Sequence, residues 1–280
     1  MKRIFAVIFL GSIWVSVALA NQTISITPET ITQGDPVMVT IEGDSYPQQL
    51  LLGKESIPIF VYQGKLRALI GIDLLKTPGD YELSVQFANG EIVKKTITVN
   101  ELKKIEAPLG IPEKLGGNTP ASQKNLVNAL AKENQSLANI KTGTKAFWTK
   151  AFSAPLKKMI VTDQYGYNRK TGVYTIMHKG VDLRAGEGTR VMAMNRGVVR
   201  IAHTYQIYGK TIVIDHGLGL RTLYIHLSKI YVNVGELVQP GQFIGLSGQT
   251  GYAEQPHLHI SVKINGISID PLRFLDLFKQ

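Results

Sequence analysis

Cysteine is absent from all 280 residues of the chain. That absence excludes a disulfide framework, a thiolate metal site and a cysteine nucleophile. Any metal must therefore sit on His, Asp or Glu, and with only six histidines present the placement of each one is informative. Charge is also sparse, 19% of residues against 44% hydrophobic, a balance too apolar for a chain that stays unfolded in water. No cluster of Lys and Arg interleaved with aromatics occurs, so nucleic acid is not an expected partner. Beyond residue 20 there is no second apolar stretch of about 20 residues. At about 100–200 residues per domain, the length suits one large domain or two modest ones, each able to bury a core.

The single long apolar run lies at the start. Lys2 and Arg3 precede an almost unbroken apolar segment from Ile4 to Val17, and Ala18-Leu19-Ala20 gives a small-x-small pattern before Asn21-Gln22. Residues 1–20 therefore read as a cleavable secretory signal rather than an anchor, and the mature chain is expected to be exported, soluble and without stable membrane insertion. Cleavage removes only Lys2 and Arg3 from a net charge of +10, so the mature chain stays basic. A basic exported protein suits an anionic neighbour such as an envelope polymer or a membrane surface.

Residues 21–100 carry the signals of short strands. Val37, Val39 and Ile41 alternate with polar residues, as do Tyr81, Leu83, Val85 and Phe87, and then Val93, Ile97 and Val99. Turn chemistry separates them at Gly34-Asp35-Pro36, Pro78-Gly79-Asp80 and Asn89-Gly90; Asn-Gly between alternating runs is a strong hairpin signal. A small immunoglobulin-like β-sandwich is expected. It holds no His and no acidic cluster of metal-ligand spacing, which leaves spacing, binding or gating as its work.

Residues 101–149 change character. Pro108, Pro112 and Gly116-Gly117 mark a linker, and Thr119-Pro120 supplies an N-cap and first helical position. Leu126, Leu130, Leu137 and Ile140 recur at helical spacing, which predicts one amphipathic helix ending near Gly143 and packed on either domain. From 150 to 280 the pattern returns to strands dense with glycine: Val198 to Ile201, Thr211 to Ile214, Thr222 to Leu227, Phe243-Ile244 and Leu258 to Ile264. No helical period of any length is visible there, so a compact antiparallel β domain with tight turns is expected. The fold class is thus mainly β.

Four of the six histidines and one aspartate fall in three short segments of that last region: His178-Lys179-Gly180-Val181-Asp182, Tyr224-Ile225-His226-Leu227 and His257-Leu258-His259. On an extended strand, positions two or four apart point to one face, and Gly180 leaves room between His178 and Asp182. Three nitrogen or oxygen ligands with one open position make a catalytic zinc site. Five candidate groups are present for three ligand places, and the other two would carry protons or donate to an oxyanion. Of the remaining histidines, His203 reads as a surface residue and His216 as structural.

These segments, with Gly248-Gln249-Thr250-Gly251, Pro256-His257-Leu258-His259, Asp215-His216-Gly217 and Asp270-Pro271, resemble the signature of the lysostaphin/LytM-type zinc peptidases, family M23. The likeness runs over about 160–275. It implies one Zn²⁺ per chain held by His178, Asp182 and His259, with His226 and His257 flanking a metal-bound water as catalytic residues. It also implies hydrolysis of peptide cross-links or stems of bacterial peptidoglycan, commonly in the periplasm or envelope of a Gram-negative cell, with protein regulators conceivable. Substrate-binding residues are not identified by it. Many relatives carry Gly before Pro-His-Leu-His and Phe-Glu after it; here these are Gln255 and Ile260-Ser261, and Ile225 replaces a residue that is often small. The rival expectation is a catalytically silent LytM-type module that binds the wall and activates an amidase. The order of segments along the chain also suggests a linker and helix that cover the groove until displaced.

Overall fold

The structure, a computed structural model, describes residues 22–279; the expected secretory signal over 1–20 lies outside them. The first region forms two facing antiparallel layers. One sheet runs Thr23–Thr27, Pro36–Glu42, Lys65–Gly71, Ile59–Tyr62; the other runs Ile31–Thr32, Ile92–Asn100, Gly79–Phe87, Pro47–Leu52, Glu55–Ser56. Only Ile31–Thr32 pairs in parallel, against the end of Ile92–Asn100. This is the strand order of an immunoglobulin-like sandwich built without its usual disulfide. The alternation read from the sequence supplies its core: Val37, Val39, Ile41, Leu83, Val85, Phe87, Ile97 and Val99 are all buried together. Gly90 closes the hairpin between Gly79–Phe87 and Ile92–Asn100 at φ 86°. Tyr81 donates its hydroxyl to the Thr77 carbonyl at 2.6 Å, the tyrosine-corner contact of this fold.

Helix α1 spans Pro120–Ala138, with the Thr119 hydroxyl accepting from the Ser122 amide at its N-cap. It ends five residues short of Gly143, the end expected from the apolar period. The cause is tertiary: Thr142 Oγ1 and the Gly143 amide donate to the buried Asp215 carboxylate at 2.7 and 3.0 Å. Ile140 meanwhile packs with Leu137, Val213, Leu223 and Ile225 outside the helix. Polar bonds to another element outweigh propensity here.

The last region is organised on one antiparallel sheet, ordered Val161–Asp163, Val181–Arg184, His257–Ile264, Leu220–Leu227, Lys210–Gly217, Gly197–Thr204, Leu237–Val238, with Ile267–Ile269 also on His257–Ile264. A smaller sheet joins Arg190–Met192, Phe243–Leu246 and Lys229–Ile230. Every strand read from the sequence in this region falls inside one of these. The expectation that it contains no helix is corrected by α2, Pro271–Leu277, capped by Asp270. Seven residues are too few to display a period, though Asp-Pro was a legible start.

The two β regions share a core. Tyr62 of the sandwich packs against Trp148 at 4.9 Å between ring centroids, and Trp148 meets Phe278 at 5.3 Å. Asp35, fully buried, pairs with Arg273 of α2. The mainly β class, with a sandwich, a helical segment and a second antiparallel unit, is the architecture observed.

Candidate metal centre

The central sheet presents three of the predicted groups at one point. Asp182 and His259 are direct cross-strand neighbours, as are Arg184 and His257, so Asp182, His257 and His259 reach the same face. His178 arrives differently from the expectation of one continuous strand. It lies past the end of Tyr174–Met177, and the chain bends at Lys179-Gly180 before Val181–Arg184 begins. A Cβ at Gly180 would stand 2.4 Å from His259 Nε2 and 2.5 Å from the Ile260 carbonyl, so only glycine lets the bend close over the sheet.

His226 sits opposite a register shift. Ile212 pairs with Tyr224 but Lys210 with Leu227, so residues 225 and 226 oppose Thr211 alone: a β-bulge. Ile225 is in register with His259, so in a regular strand His226 would point to the opposite face. The bulge, with His226 at φ 64°, turns its ring back to 4.9 Å from His257 and 6.1 Å from His259. Left-handed backbone in a residue other than Gly, Asn or Asp is strain held by its surroundings. Here the His226 amide donates to the Tyr208 carbonyl and its Nδ1 lies 2.9 Å from the Thr250 carbonyl.

Proton positions follow from the partners. Carbonyl oxygens only accept, so His178 Nδ1 on Gln164 O, His226 Nδ1 on Thr250 O and His257 Nδ1 on Gln255 O must each carry hydrogen. The Ser261 hydroxyl donates to the Lys179 carbonyl, so it accepts from His259 Nε2 at 3.0 Å. In its neutral form each of the four rings therefore turns its unprotonated nitrogen inward. His178 Nε2, His259 Nδ1 and Asp182 Oδ1 form a triangle with sides of 3.1, 2.7 and 3.2 Å. A tetrahedral ion with bonds of about 2.0–2.1 Å has edges of about 3.3 Å. Three electron-rich atoms at that spacing with no proton among them suit a cation at their centre, and the donor set of two imidazoles and a carboxylate suits zinc. His257 Nε2 stands 3.6 Å from Asp182 Oδ1, beside the triangle and not part of it.

Burial favours the neutral form of two of these rings. It pushes His226 down to about 3 and, against the pull of Asp182, His259 down to about 4. The opening is narrow: side-chain exposure rises from 3% at His178 to 18% at His257.

Several supporting residues were not found in the sequence. Arg169 bridges Asp163 and Asp182, reaching Asp182 Oδ2 at 2.6 Å and leaving Oδ1 to the triangle. Nothing in its local pattern announces this. Ser261, met in the sequence only as a departure from the M23 pattern, orients His259 through its hydroxyl. His203 is exposed, as expected. His216 is fully buried between the Arg196 carbonyl and Thr222 Oγ1, and burial pushes it down to about 4.

With bulge, bend and triangle in place, this region presents a donor set that could hold a metal ion. Residues 176–271 match the profile described as "Peptidase family M23". Over 96 residues the chain is 42% identical to an "Uncharacterized metalloprotease" of Haemophilus influenzae, covering 34% of this chain and 20% of that protein. It is 40% identical, likewise over 96 residues, to "Peptidoglycan DD-endopeptidase ShyA" of Vibrio cholerae, covering 34% of this chain and 22% of that protein. The chain thus spans about a fifth of the length of these curated relatives. A crystal structure from Pseudomonas aeruginosa, assigned to peptidase M23, shares the fold with a TM-score of 0.59 at 24% identity, over 87% of this chain and 94% of its own.

Proposed function

We propose that this chain is an exported zinc-dependent endopeptidase that hydrolyses peptide cross-links or stems of bacterial peptidoglycan in the periplasm or cell envelope. The single observation that carries the reading is the convergence of three proton-free donor atoms beside two further imidazoles whose inward nitrogens are also bare. The M23 match and the name of the Vibrio cholerae relative support the substrate class.

His178 Nε2, Asp182 Oδ1 and His259 Nδ1 would hold the ion. A zinc ion there supplies Lewis acidity toward the scissile carbonyl and a water nucleophile at neutral pH. The chain's own residues do the rest. His226, neutral and fixed by Thr250, or His257, fixed by Gln255, takes a proton at Nε2 as the carbonyl is attacked. The other imidazole, protonated at Nε2 from solvent, donates a hydrogen bond to the oxyanion, and the proton held by the first passes to the leaving amine. Arg169 holds Asp182 in the orientation that keeps Oδ1 inward.

The test is hydrolysis of purified cross-linked muropeptides, with product masses identifying the bond cut. Wild-type activity is expected to vanish in chelator and return with zinc. His259→Ala should lose both zinc and at least about 10³-fold in turnover, a transition-state loss of about 4 kcal/mol. Full turnover by His259→Ala without bound metal would end this reading.

A further inference from the structure

Glu133 is charged yet buried, on the core-facing stripe of α1 with Leu126 and Leu137. Its carboxylate accepts two backbone amides of the 205–209 hairpin loop, Ile207 N at 2.9 Å and Tyr208 N at 3.0 Å. That loop passes the constraint on in two directions. The Tyr208 carbonyl accepts the amide of His226 at 3.0 Å, and the Ile207 carbonyl accepts the amide of Tyr252 at 2.7 Å. Two residues before Tyr252, the Thr250 carbonyl fixes the His226 ring at Nδ1. One carboxylate thus lies behind both the strained backbone and the ring orientation of His226.

Neighbouring contacts share this pattern. Asn134 accepts from the Tyr208 hydroxyl, and Ile207 packs against Leu126 and Ile111. On the other loop, Tyr252 donates to the Gly110 carbonyl and Lys114 to the Gln249 carbonyl. Residues 110–134 therefore bond to the loops on both sides of His226, although they lie outside the segment matched to M23.

We infer that α1 is a brace for the catalytic imidazole, with Glu133 as its positioning residue, and not a plug over the groove. The inference rests on the peptidase reading for its kinetic consequence but not for its structural one. Charge-assisted bonds from a buried carboxylate to two amides are strong and directional. Without them the loop is free to relax and the strained His226 backbone with it, and small misplacements of a reacting group lower turnover by up to about 10²-fold.

The experiment uses the full zinc-loaded chain, Glu133→Gln, and Thr119→Ala as a control that loosens α1 at its N-cap without touching the loop. Glutamine keeps the shape but sets an NH₂ group against an amide N–H. For Glu133→Gln we expect kcat lower by about 10- to 100-fold, KM within about twofold and zinc content unchanged. Hydrogen exchange at the His226 amide should be at least about tenfold faster, the mark of a released loop. Thr119→Ala should leave kcat and His226 exchange within about twofold of wild type. Faster hydrolysis by Glu133→Gln would instead show a plug; equal losses in both variants, loss of zinc, or unchanged His226 exchange would each overturn the brace. If the wild-type chain cleaves no muropeptide, the peptidase reading falls, and the exchange rates still decide the brace.

Discussion

The two β regions are built from the same antiparallel ladders and hold opposite kinds of interior. The sandwich buries aliphatic rows, and its one fully buried carboxylate, Asp35, is tied to Arg273 of the other region. The C-terminal sheet buries His178, Asp182, Asp215, His216 and His226. Its regularity is broken where those groups gather: a bend at Gly180, a bulge at His226, a strand end at His178. A ladder left regular makes a core; a ladder interrupted at chosen points turns polar side chains toward a common centre.

Acid should expose that contrast most strongly. His216 is fully buried with its pKa pushed down to about 4, whereas the unfolded chain binds a proton near 6.5. Between those values the unfolded state holds more protons, so stability rises with pH from about 4 to about 6.5 and is lost on acidification through that window. The difference in unfolding free energy between wild type and His216→Asn should change by about 3 kcal/mol across it, measured by denaturant titration at fixed pH values. A flat difference would remove His216 as a source of the contrast.

A smaller effect tests the support beneath the triangle. Arg169→Met leaves the ligands in place but releases Asp182 and strands Asp163. Zinc affinity should fall about 10- to 100-fold, read by competition with a chelating dye, while the circular dichroism of the folded chain stays that of wild type. Unaltered affinity would mean the carboxylate needs no outer partner. The smallest expected change lies in the sandwich itself. Tyr81→Phe removes the corner hydrogen bond and should cost about 1 kcal/mol of stability, with zinc affinity and turnover as in wild type.

Period-two patterning made the strands legible, because each face of a buried sheet must repeat every second residue. Spacing alone left five candidates for three places, and it was the resemblance that singled out His178, Asp182 and His259; the bend at Gly180 that brings His178 in was not foreseen. His226 was visible as a residue and its orientation was not, since a bulge leaves no trace in hydrophobic alternation. The end of α1 was hidden for a related reason: Asp215, far along the chain, competes for Thr142 and Gly143. Glu133 did leave a signal. It falls on the stripe of Leu126, Leu130 and Leu137, where an acid has to find a buried partner. Arg169 and Ser261 act through single contacts that spacing does not encode.

Tyr62, Trp148 and Phe278 come from the sandwich, the linker and the tail, and they interlock, Tyr62 and Trp148 each meeting Phe278 edge to face. Covalent continuity is therefore not what keeps the halves of this molecule together. A nick in the exposed stretch around residues 103–106 would yield two polypeptides and still one particle, its halves held by a dry aromatic joint.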